Sequence, residues 1–369
     1  MPSHSSYSSH SRSKKTKKHK KHRAYSLNRA ARRFPETRRN FTKTRSLPAN
    51  QSIKAEEIGS GGFGIVSRPP ARCGSFVSKN KNANAFREVY AGNPNYISKL
   101  TEYSGARKEL DIAISIKERI DDFYEYYCLV EFICNASERK AIERNGNYYG
   151  TYAISPYCGI PLSTYLKSAI DFPFEKFEIY NSLPILQKFV FGVLLLHKNN
   201  IVHQDIHQQN ILYDNEYRLM RLIDFGLAID FNRDNSNKPR TDKNPLHKND
   251  PKFINAKLHD IEQLIENIIL PYFEIILNYR NEIKINNAKL FRNYPELEEF
   301  LSNIRELNGK LDLFKNPRKQ TSYPRVDNKE KLNRLMAYVD EFMEIPSLDL
   351  LARIIAREKE EFNKLNPRG

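Results

Sequence analysis

The pattern of hydrophobic and polar residues divides the chain into three regions. Residues 1–50 are poor in aliphatic residues and rich in Ser, Lys, His and Arg, so we predict a disordered tail that cannot bury enough apolar surface to offset its ordering entropy. Residues 51–155 carry short strand-like apolar runs and one helical pattern at 102–122. Residues 156–369 are mostly helical in pattern, with a strongly apolar segment at 184–197 and a helical C-terminal extension. Short strands are predicted at 96–100, 127–133, 148–155, 201–202, 211–213 and 221–223.

Positive charge is concentrated in the predicted tail. Residues 1–50 hold fifteen Lys and Arg and one acidic residue, a net of +14, which leaves +2 of the chain's +16 for the other 319 residues. The run at 14–23 (KKTKKHKKHR) is compatible with a nuclear-import signal, a non-specific nucleic-acid contact, a charged tether, or a solvated tail without a partner.

Cysteine spacing and hydropathy exclude several classes of protein. The four cysteines form no CxxC pair, which argues against a zinc site and a disulfide framework and favours a reducing compartment. No run of 18 apolar residues and no apolar N-terminal segment are present, so we expect a soluble intracellular protein without a membrane span.

A glycine-rich segment fits the pattern G-x-G-x-x-G-x-V. Glycines allow a tight β-turn to lie close to a polyphosphate, with backbone N–H groups directed at its oxygens. An ordinary glycine turn and a Rossmann loop are the alternatives, but Arg68-Pro69-Pro70 would break the helix that a Rossmann loop needs. The predicted nucleotide-binding residues here are Ile58, Gly59, Ser60, Gly61, Gly62, Phe63, Gly64, Ile65 and Val66.

A lysine on the next predicted strand is the candidate phosphate ligand. Lys99 lies in the sequence YISKL, and a lysine in such a position needs a carboxylate to hold it. The following helix offers Glu102, Glu109 and Glu118, of which Glu109 lies mid-helix among apolar residues and is the preferred partner. The interval of ten residues between Lys99 and Glu109 is short for this arrangement.

The segment 201–212 (IVHQDIHQQNIL) carries the strongest chemical signal. It matches H-x-D-x-x-x-x-N-I-L, in which phosphoryl transfer needs a carboxylate, Asp205, to orient the incoming hydroxyl. The amide oxygen of Asn210 is the predicted metal ligand, and His203 is expected to pack beneath the loop. Histidines at 197, 203 and 207 leave zinc as an alternative, but no second cluster completes such a site.

An Asp-Phe-Gly sequence follows 14 residues after Asn210. Asp224 ends an apolar run and is predicted to present its carboxylate to Mg²⁺. Each of these motifs is weak alone, whereas their order along the chain is difficult to obtain by chance.

In this order the motifs resemble the protein kinase superfamily over roughly residues 53–280. The segments GSGGFGIVSRPP and YISKL are similar to divergent serine/threonine-protein kinases of large nucleocytoplasmic DNA viruses. The resemblance implies a two-lobed α+β fold, with 51–155 as a β-rich N-lobe and 156–369 as a helical C-lobe, and ATP and Mg²⁺ as cofactors. It also implies a hinge at 154–159 and a buried Asp260 that bonds the catalytic loop.

The function implied by the resemblance is transfer of the ATP γ-phosphoryl group to serine or threonine of protein substrates whose identity is unknown. A monomer in the host cytoplasm or nucleus, with packaging in the virion, is the matching expectation. Gln204 replaces the usual Arg before Asp205, which makes switching by loop phosphorylation doubtful. His207 replaces the usual Lys and is similar to aminoglycoside and choline kinases, so a small-molecule kinase is the alternative. A weakly active scaffold that binds nucleic acid through the tail is a third hypothesis.

Overall fold

The computed structural model describes residues 55–61, 64–73, 90, 92–136, 140–144, 146–171, 182–233, 250–286, 295–315 and 327–345. These residues belong to one compact unit, Arg45–Gly369. The predicted tail at 1–50 lies outside the described residues, so its disorder stays a prediction.

A five-stranded antiparallel sheet forms the first part of the described chain. Its two central strands are largely buried, because β-branched and aromatic residues on them contact neighbours on both faces. A separate hairpin lies between the fourth sheet strand and the fifth along the chain. The strands are β1 (Glu56–Gly61), β2 (Gly64–Arg68), β3 (Tyr96–Thr101), β4 (Phe132–Asn135), the hairpin strands β5 (Ile142–Arg144) and β6 (Asn147–Tyr149), and β7 (Thr151–Pro156). Across the sheet the order is β1-β2-β3-β7-β4.

Helix α1 (Tyr103–Arg119) connects the sheet to the helical part of the molecule. On one side Ala106 packs with Val130 and Ala153 of the sheet region. On the other side Ile112 and Ile116 join the large core cluster of the helical part. Two basic residues in the last turn favour the helix end, where backbone carbonyls carry partial negative charge.

The helical part surrounds one large apolar core that includes Phe189, Phe273 and Phe342, all almost fully buried. A π-helical turn, Ile265–Ile269, continues the fourth helix into the fifth. The helices are α2 (Leu162–Asp171), α3 (Leu183–Lys198), α4 (Pro251–Leu264), α5 (Leu270–Asn286), α6 (Pro295–Lys315) and α7 (Asn328–Glu344).

Two small sheets lie beside these helices and carry the polar loops of interest. Their strands are β8 (Ile160–Pro161), β9 (Ile201–Val202), β10 (Ile211–Asp214), β11 (Leu219–Leu222) and β12 (Ile229–Asp230). The sheet orders are β11-β10-β8 and β12-β9. The predicted α+β class agrees with this mixture of a sheet near the N-terminal end of the described chain and helices after it.

Most predicted elements have a counterpart in the structure, with one strand shortened. The helical patterns at 102–122 and 184–197 correspond to α1 and α3. The predicted strand at 127–133 begins at Phe132 instead, because the backbone at Tyr127 and Cys128 pairs with Leu222 and not with the large sheet.

The cysteines differ from the expectation drawn from their spacing. The structure joins Cys73 to Cys134 and Cys128 to Cys158 as disulfides, so the expectation of no disulfide framework was wrong. The partners are 61 and 30 residues apart, and the fold, not a local motif, brings them together.

Within the described residues, none of the helices combines the length and the apolar character needed to span a bilayer.

Candidate active site

A lysine and two carboxylates from three separate elements meet at the junction of the sheet and the helices. Lys99 Nζ on β3 donates to Glu109 Oε1 on α1 and to Asp224 Oδ1 after β11, each at 2.9 Å. The sequence prediction that Glu109 partners Lys99 therefore matches the contact in the structure. The side chain of Glu109 is 7% exposed and that of Asp224 is 17% exposed, so this is a shielded ionic cluster.

The electrostatics of the cluster keep the lysine charged. Burial acts to lower the pKa of Lys99, but the charges of Glu109 and Asp224 outweigh it and raise the pKa above the ordinary value. Burial raises the pKa of Glu109, an effect that Lys99 opposes and Asp224 reinforces. One ammonium group thus contacts two carboxyl groups. Because its single charge cannot neutralise both, an added cation would be favoured here.

Space around the cluster is restricted at Gly226. A Cβ atom at this position would lie 3.3 Å from Asp224 Oδ1 and 3.6 Å from Glu109 Oε1. The aromatic residue between Asp224 and Gly226 is buried: Phe225 packs edge-on against His203 with ring centroids 4.9 Å apart. The Asp224 carboxylate is thus held by Lys99 beside a position that leaves little room for a side chain.

The polar loop after β9 holds Asp205 by a direct contact with Asn210. Asn210 Nδ2 donates to Asp205 Oδ2 at 2.8 Å and to the Asp205 carbonyl at 3.0 Å. Because Nδ2 is used in this way, Oδ1 is the atom of this amide that can serve as a metal ligand. The Ile223 N–H donates to the Asn210 carbonyl at 2.9 Å, which places Asn210 beside the residue that precedes Asp224.

His203 connects the two segments that carry the carboxylates. Its Nε2 lies 2.8 Å from the Ile223 carbonyl, so this nitrogen donates, and its Nδ1 accepts from the Asp205 N–H at 3.2 Å. Burial lowers the pKa of His203, which keeps the imidazole neutral and fixes this tautomer. Asp205 and Asp224 are therefore on the same side of the molecule, joined through one buried ring.

A fully buried carboxylate on α4 anchors the backbone of the loop. Asp260 accepts from His197 Nε2 at 2.9 Å, from the His203 N–H at 2.8 Å and from the Gln204 N–H at 2.7 Å. Burial would raise the pKa of Asp260, but the bonds from His197 and His203 outweigh burial and lower it. The side chain is 0% exposed and ionised, so its negative charge holds the loop in place.

The two residues that depart from the usual pattern have defined contacts. Gln204 Nε2 donates to the Ala256 carbonyl at 2.8 Å and to Asp260 Oδ1 at 2.9 Å, so this side chain is directed into α4. His207 Nε2 lies 3.5 Å from Asp205 Oδ2, and its Nδ1 accepts from the Gln209 N–H at 3.2 Å. Because Nδ1 accepts a hydrogen bond, Nε2 is the ring nitrogen that faces Asp205 as an N–H group.

The glycine-rich segment forms the hairpin β1–β2 at the edge of the sheet. Val66 pairs with Lys99 on one side and with Gly59 on the other, so the hairpin lies next to the strand that carries the lysine. Ile58 is half exposed on this hairpin. Gly62 and Phe63, two of the predicted ligands, lie outside the described residues, as do the side-chain surroundings of Ser60, Gly61 and Gly64.

The predicted hinge, 154–159, begins within β7 and contacts β2 and the residue before β3. The Tyr157 N–H donates to the Asn95 carbonyl at 2.7 Å, and the Arg68 guanidinium lies 3.5 Å above the Tyr157 ring. Gly159 has φ +117°, and a Cβ there would approach the Tyr213 carbonyl oxygen to 2.1 Å. Glycine is therefore required where the chain passes from the sheet to the helical part.

Comparison with known proteins finds partial similarity to protein kinases. The family described as "Protein kinase domain" matches residues 152–245. A calcium-dependent protein kinase 4 of Plasmodium berghei is 23% identical over 197 residues, which cover 52% of this chain and 31% of that protein. The cyclin-dependent kinase 12 of Drosophila melanogaster is 32% identical over 107 residues, 29% of this chain and 9% of that protein. These matches support the protein kinase superfamily.

The matches leave most of each relative uncovered. A serine/threonine-protein kinase PLK4 of Drosophila persimilis is 38% identical over 72 residues, 20% of this chain and 9% of that kinase. The chain thus spans under a third of the length of these curated kinases. The family match, the sheet and the helices together fit a kinase-like fold.

Two polar residues that hold the loop carrying Asp205 were not predicted from the sequence. Gln263 Oε1 accepts from the Ile206 N–H at 2.8 Å, and Asn267 Nδ2 donates to the Ile206 carbonyl at 2.8 Å. With Asp260 they are spaced by three and four residues, which places them on one helix face. Polar residues at this spacing beside the buried apolar positions of the helix are the signal that could have revealed them.

Proposed function

We propose that this protein is a serine/threonine-protein kinase that transfers the γ-phosphoryl group of ATP to protein hydroxyl groups. The observation that supports this proposal best is the contact of Lys99 with both Glu109 and Asp224 beside the Asp205–Asn210 loop. In this proposal 51–155 and 156–369 act as two lobes with the nucleotide between them.

The residues present fit a nucleotide with Mg²⁺. Asp224 and Asn210 offer carboxylate and amide oxygens, the hard ligands that Mg²⁺ prefers. The two carboxyl groups around Lys99 exceed its single positive charge, which favours a further cation at this place. When bound, Mg²⁺ would supply the positive charge that offsets charge on the transferred phosphoryl group.

Each of the site residues then has a separate role. Lys99, held by Glu109, would bind the α- and β-phosphates, and the hairpin Gly59–Val66 would cover them. Asp205, held by Asn210, would accept a hydrogen bond from the substrate hydroxyl and orient it. Fixed dipoles and charges of this kind need no rearrangement during the reaction, so positioning and electrostatics would provide most of the rate enhancement.

A small-molecule kinase remains the second candidate because of one contact. His207 lies 3.5 Å from Asp205 Oδ2, at the position where a lysine is usual in serine/threonine kinases. An imidazole N–H there could serve a small amino-alcohol as well as a peptide. The resemblance to viral kinases, with its implied virion packaging, rests on the glycine-rich and SKL segments and stays a prediction.

A phosphate-transfer assay separates these possibilities. Full-length protein with γ-labelled ATP and Mg²⁺ would be offered casein, a basic protein and a panel of amino-alcohols. We expect labelled serine and threonine in protein, near-complete loss in Asp205→Asn with ATP binding intact, and full activity in the exposed control Asp121→Asn. Label on amino-alcohols alone would favour the second candidate. Undiminished turnover of the Asp205→Asn variant would refute the role of that residue.

A further inference from the structure

A buried ion pair joins the end of α1 to the segment that follows the Asp-Phe-Gly sequence. The Arg119 guanidinium donates to Asp230 Oδ1 at 2.9 Å and to Asp230 Oδ2 at 2.8 Å, a two-point contact. The Asp230 side chain is 1% exposed and that of Arg119 is 25% exposed. A desolvated two-point pair is geometrically specific. Arg233 Nε also lies 3.4 Å from Asp230 Oδ2, so two arginines contact this carboxylate, and Arg119 makes the two-point contact from α1.

Asp230 is itself fixed to the catalytic loop. β12 pairs with β9, so that Asp230 lies opposite Ile201, two residues before His203. The next residue, Phe231, donates its N–H to the Asn200 carbonyl at 2.9 Å. A shift of the segment at Asp230 would therefore displace the start of the loop that carries Asp205.

Arg119 is fixed to the helix that carries Glu109. Both residues belong to α1, and Glu109 bonds Lys99 at 2.9 Å. The helix is thus attached at its middle to the phosphate-binding lysine and at its end to the segment after Asp224. The Arg119 NH1 group also reaches the Asn199 carbonyl at 3.5 Å, directly before the loop.

The position before Asp205, where an arginine would bind a phosphorylated loop, carries a glutamine with other partners. Gln204 stands before Asp205, and its amide bonds Ala256 and Asp260 inside the molecule. A neutral amide in this position provides no guanidinium for a phosphate group. Asp230, by contrast, is an encoded acidic side chain that already contacts Arg119 and Arg233 without any modification.

We propose that the Arg119–Asp230 pair is a positioning element that holds α1, and hence Lys99–Glu109, in the working arrangement without phosphorylation of the activation segment. This inference rests on the kinase function proposed above. Arg119 and Asp230 are positioning residues, since they act through Glu109 and the catalytic loop. The segment between Asp230 and α4 contains two hydroxyl residues, Ser236 and Thr241, which lie outside the described residues.

The test compares two arginines on the same helix. Arg119→Met removes the pair that joins α1 to Asp230. Arg107→Met removes a pair with Asp111 within α1, in which the Arg107 side chain is 53% exposed. We expect Arg119→Met to lower kcat/KM and ATP affinity by roughly 10-fold or more, and Arg107→Met to change neither by more than about 2-fold. Arg119→Lys keeps the charge without the two-point geometry and should recover part of the loss.

The second arm tests independence from phosphorylation. The double variant Ser236→Ala/Thr241→Ala, together with phosphatase-treated wild type, should retain wild-type kcat/KM. A loss of about 10-fold in either sample, or equal behaviour of Arg119→Met and Arg107→Met, overturns the inference.

Failure of the proposed function gives a different result. Absence of phosphate transfer by wild-type protein contradicts the kinase assignment alone, and the ion pair is then judged by ATP affinity of the two arginine variants. If Arg119→Met does not fold, the comparison is made with Arg119→Lys and Arg107→Lys. A wild-type ATP affinity in Arg119→Lys would then contradict the proposal.

Discussion

Replacement of Asp260 by Asn gives a sharp test of how the catalytic loop is held. Asp260 Oδ2 accepts from His197 Nε2 and the His203 N–H, and Oδ1 accepts from the N–H and Nε2 groups of Gln204. Asparagine has nearly the same volume, but it replaces one of these oxygens by an NH₂ donor. Two N–H groups of the protein would then face another donor in a fully buried place.

The expected cost follows from these lost bonds. Each buried donor left without an acceptor costs about 1–3 kcal/mol, so two of them predict a loss of about 2–6 kcal/mol in the free energy of unfolding. Urea unfolding of wild type and Asp260→Asn at neutral pH measures this difference through the midpoint and slope. The control is Asp111→Asn, whose partner Arg107 is 53% exposed, with an expected loss within about 1 kcal/mol.

The pH dependence of the same variant has a defined sign. The folded-state pKa of Asp260 lies below its ordinary value, so the unfolded chain binds more protons than the folded protein in acid. The stabilisation from ionised Asp260 is complete above the ordinary carboxyl pKa of about 4 and is lost as the pH falls through the lower folded-state pKa. The difference in the free energy of unfolding between wild type and Asp260→Asn should therefore become smaller in acid. Equal urea midpoints for Asp260→Asn and Asp111→Asn at neutral pH would refute this account of the loop.

Three further predictions concern the cluster and the tail. Lys99→Met should lower phosphate transfer by about 100-fold or more, because a fixed charge at the phosphates is lost. The control Lys108→Met on α1 should leave transfer near the wild-type rate, and steady-state kinetics would show the difference. Gly226→Ala should lower transfer by roughly 10-fold with a modest loss of stability, since its Cβ would crowd Asp224, and equal kcat values would contradict this. Deletion of 1–50, which removes a net +14, should abolish retention on DNA at low salt, whereas salt-independent retention would exclude a phosphate contact.

Local motifs identified the candidate residues of the site, and the fold supplies the contacts between them. The spacing of Asp205, Asn210 and Asp224 is short enough for a sequence pattern to identify them, and the structure brings all three together through His203 and Ile223. Lys99 and Glu109 are ten residues apart on a strand and the following helix, so their contact was also within reach. Periodicity likewise predicted α1 and α3.

Long-range pairs could not be predicted, because no local pattern marks them. Arg119 and Asp230 are 111 residues apart, and each looks like an ordinary surface charge in the sequence. The two disulfides join residues 61 and 30 positions apart, and the expectation of unpaired cysteines was wrong for the same reason. Pairing of this kind depends on the final packing of α1, the sheet and the small strands.

A polar stripe extends along α4 into the π-helical turn that follows it. Asp260, Gln263 and Asn267 occupy one face of a helix that otherwise buries apolar residues, and burial of such groups is costly unless each is bonded. Their partners are three residues of one loop: His203 and Gln204 for Asp260, and Ile206 for the other two. Asn267 lies within the π-helical turn, a feature that often marks functional sites. These three polar side chains thus bond the backbone of one loop and fix its position. Such fixation is what a reaction driven by positioning, and not by covalent chemistry, would require.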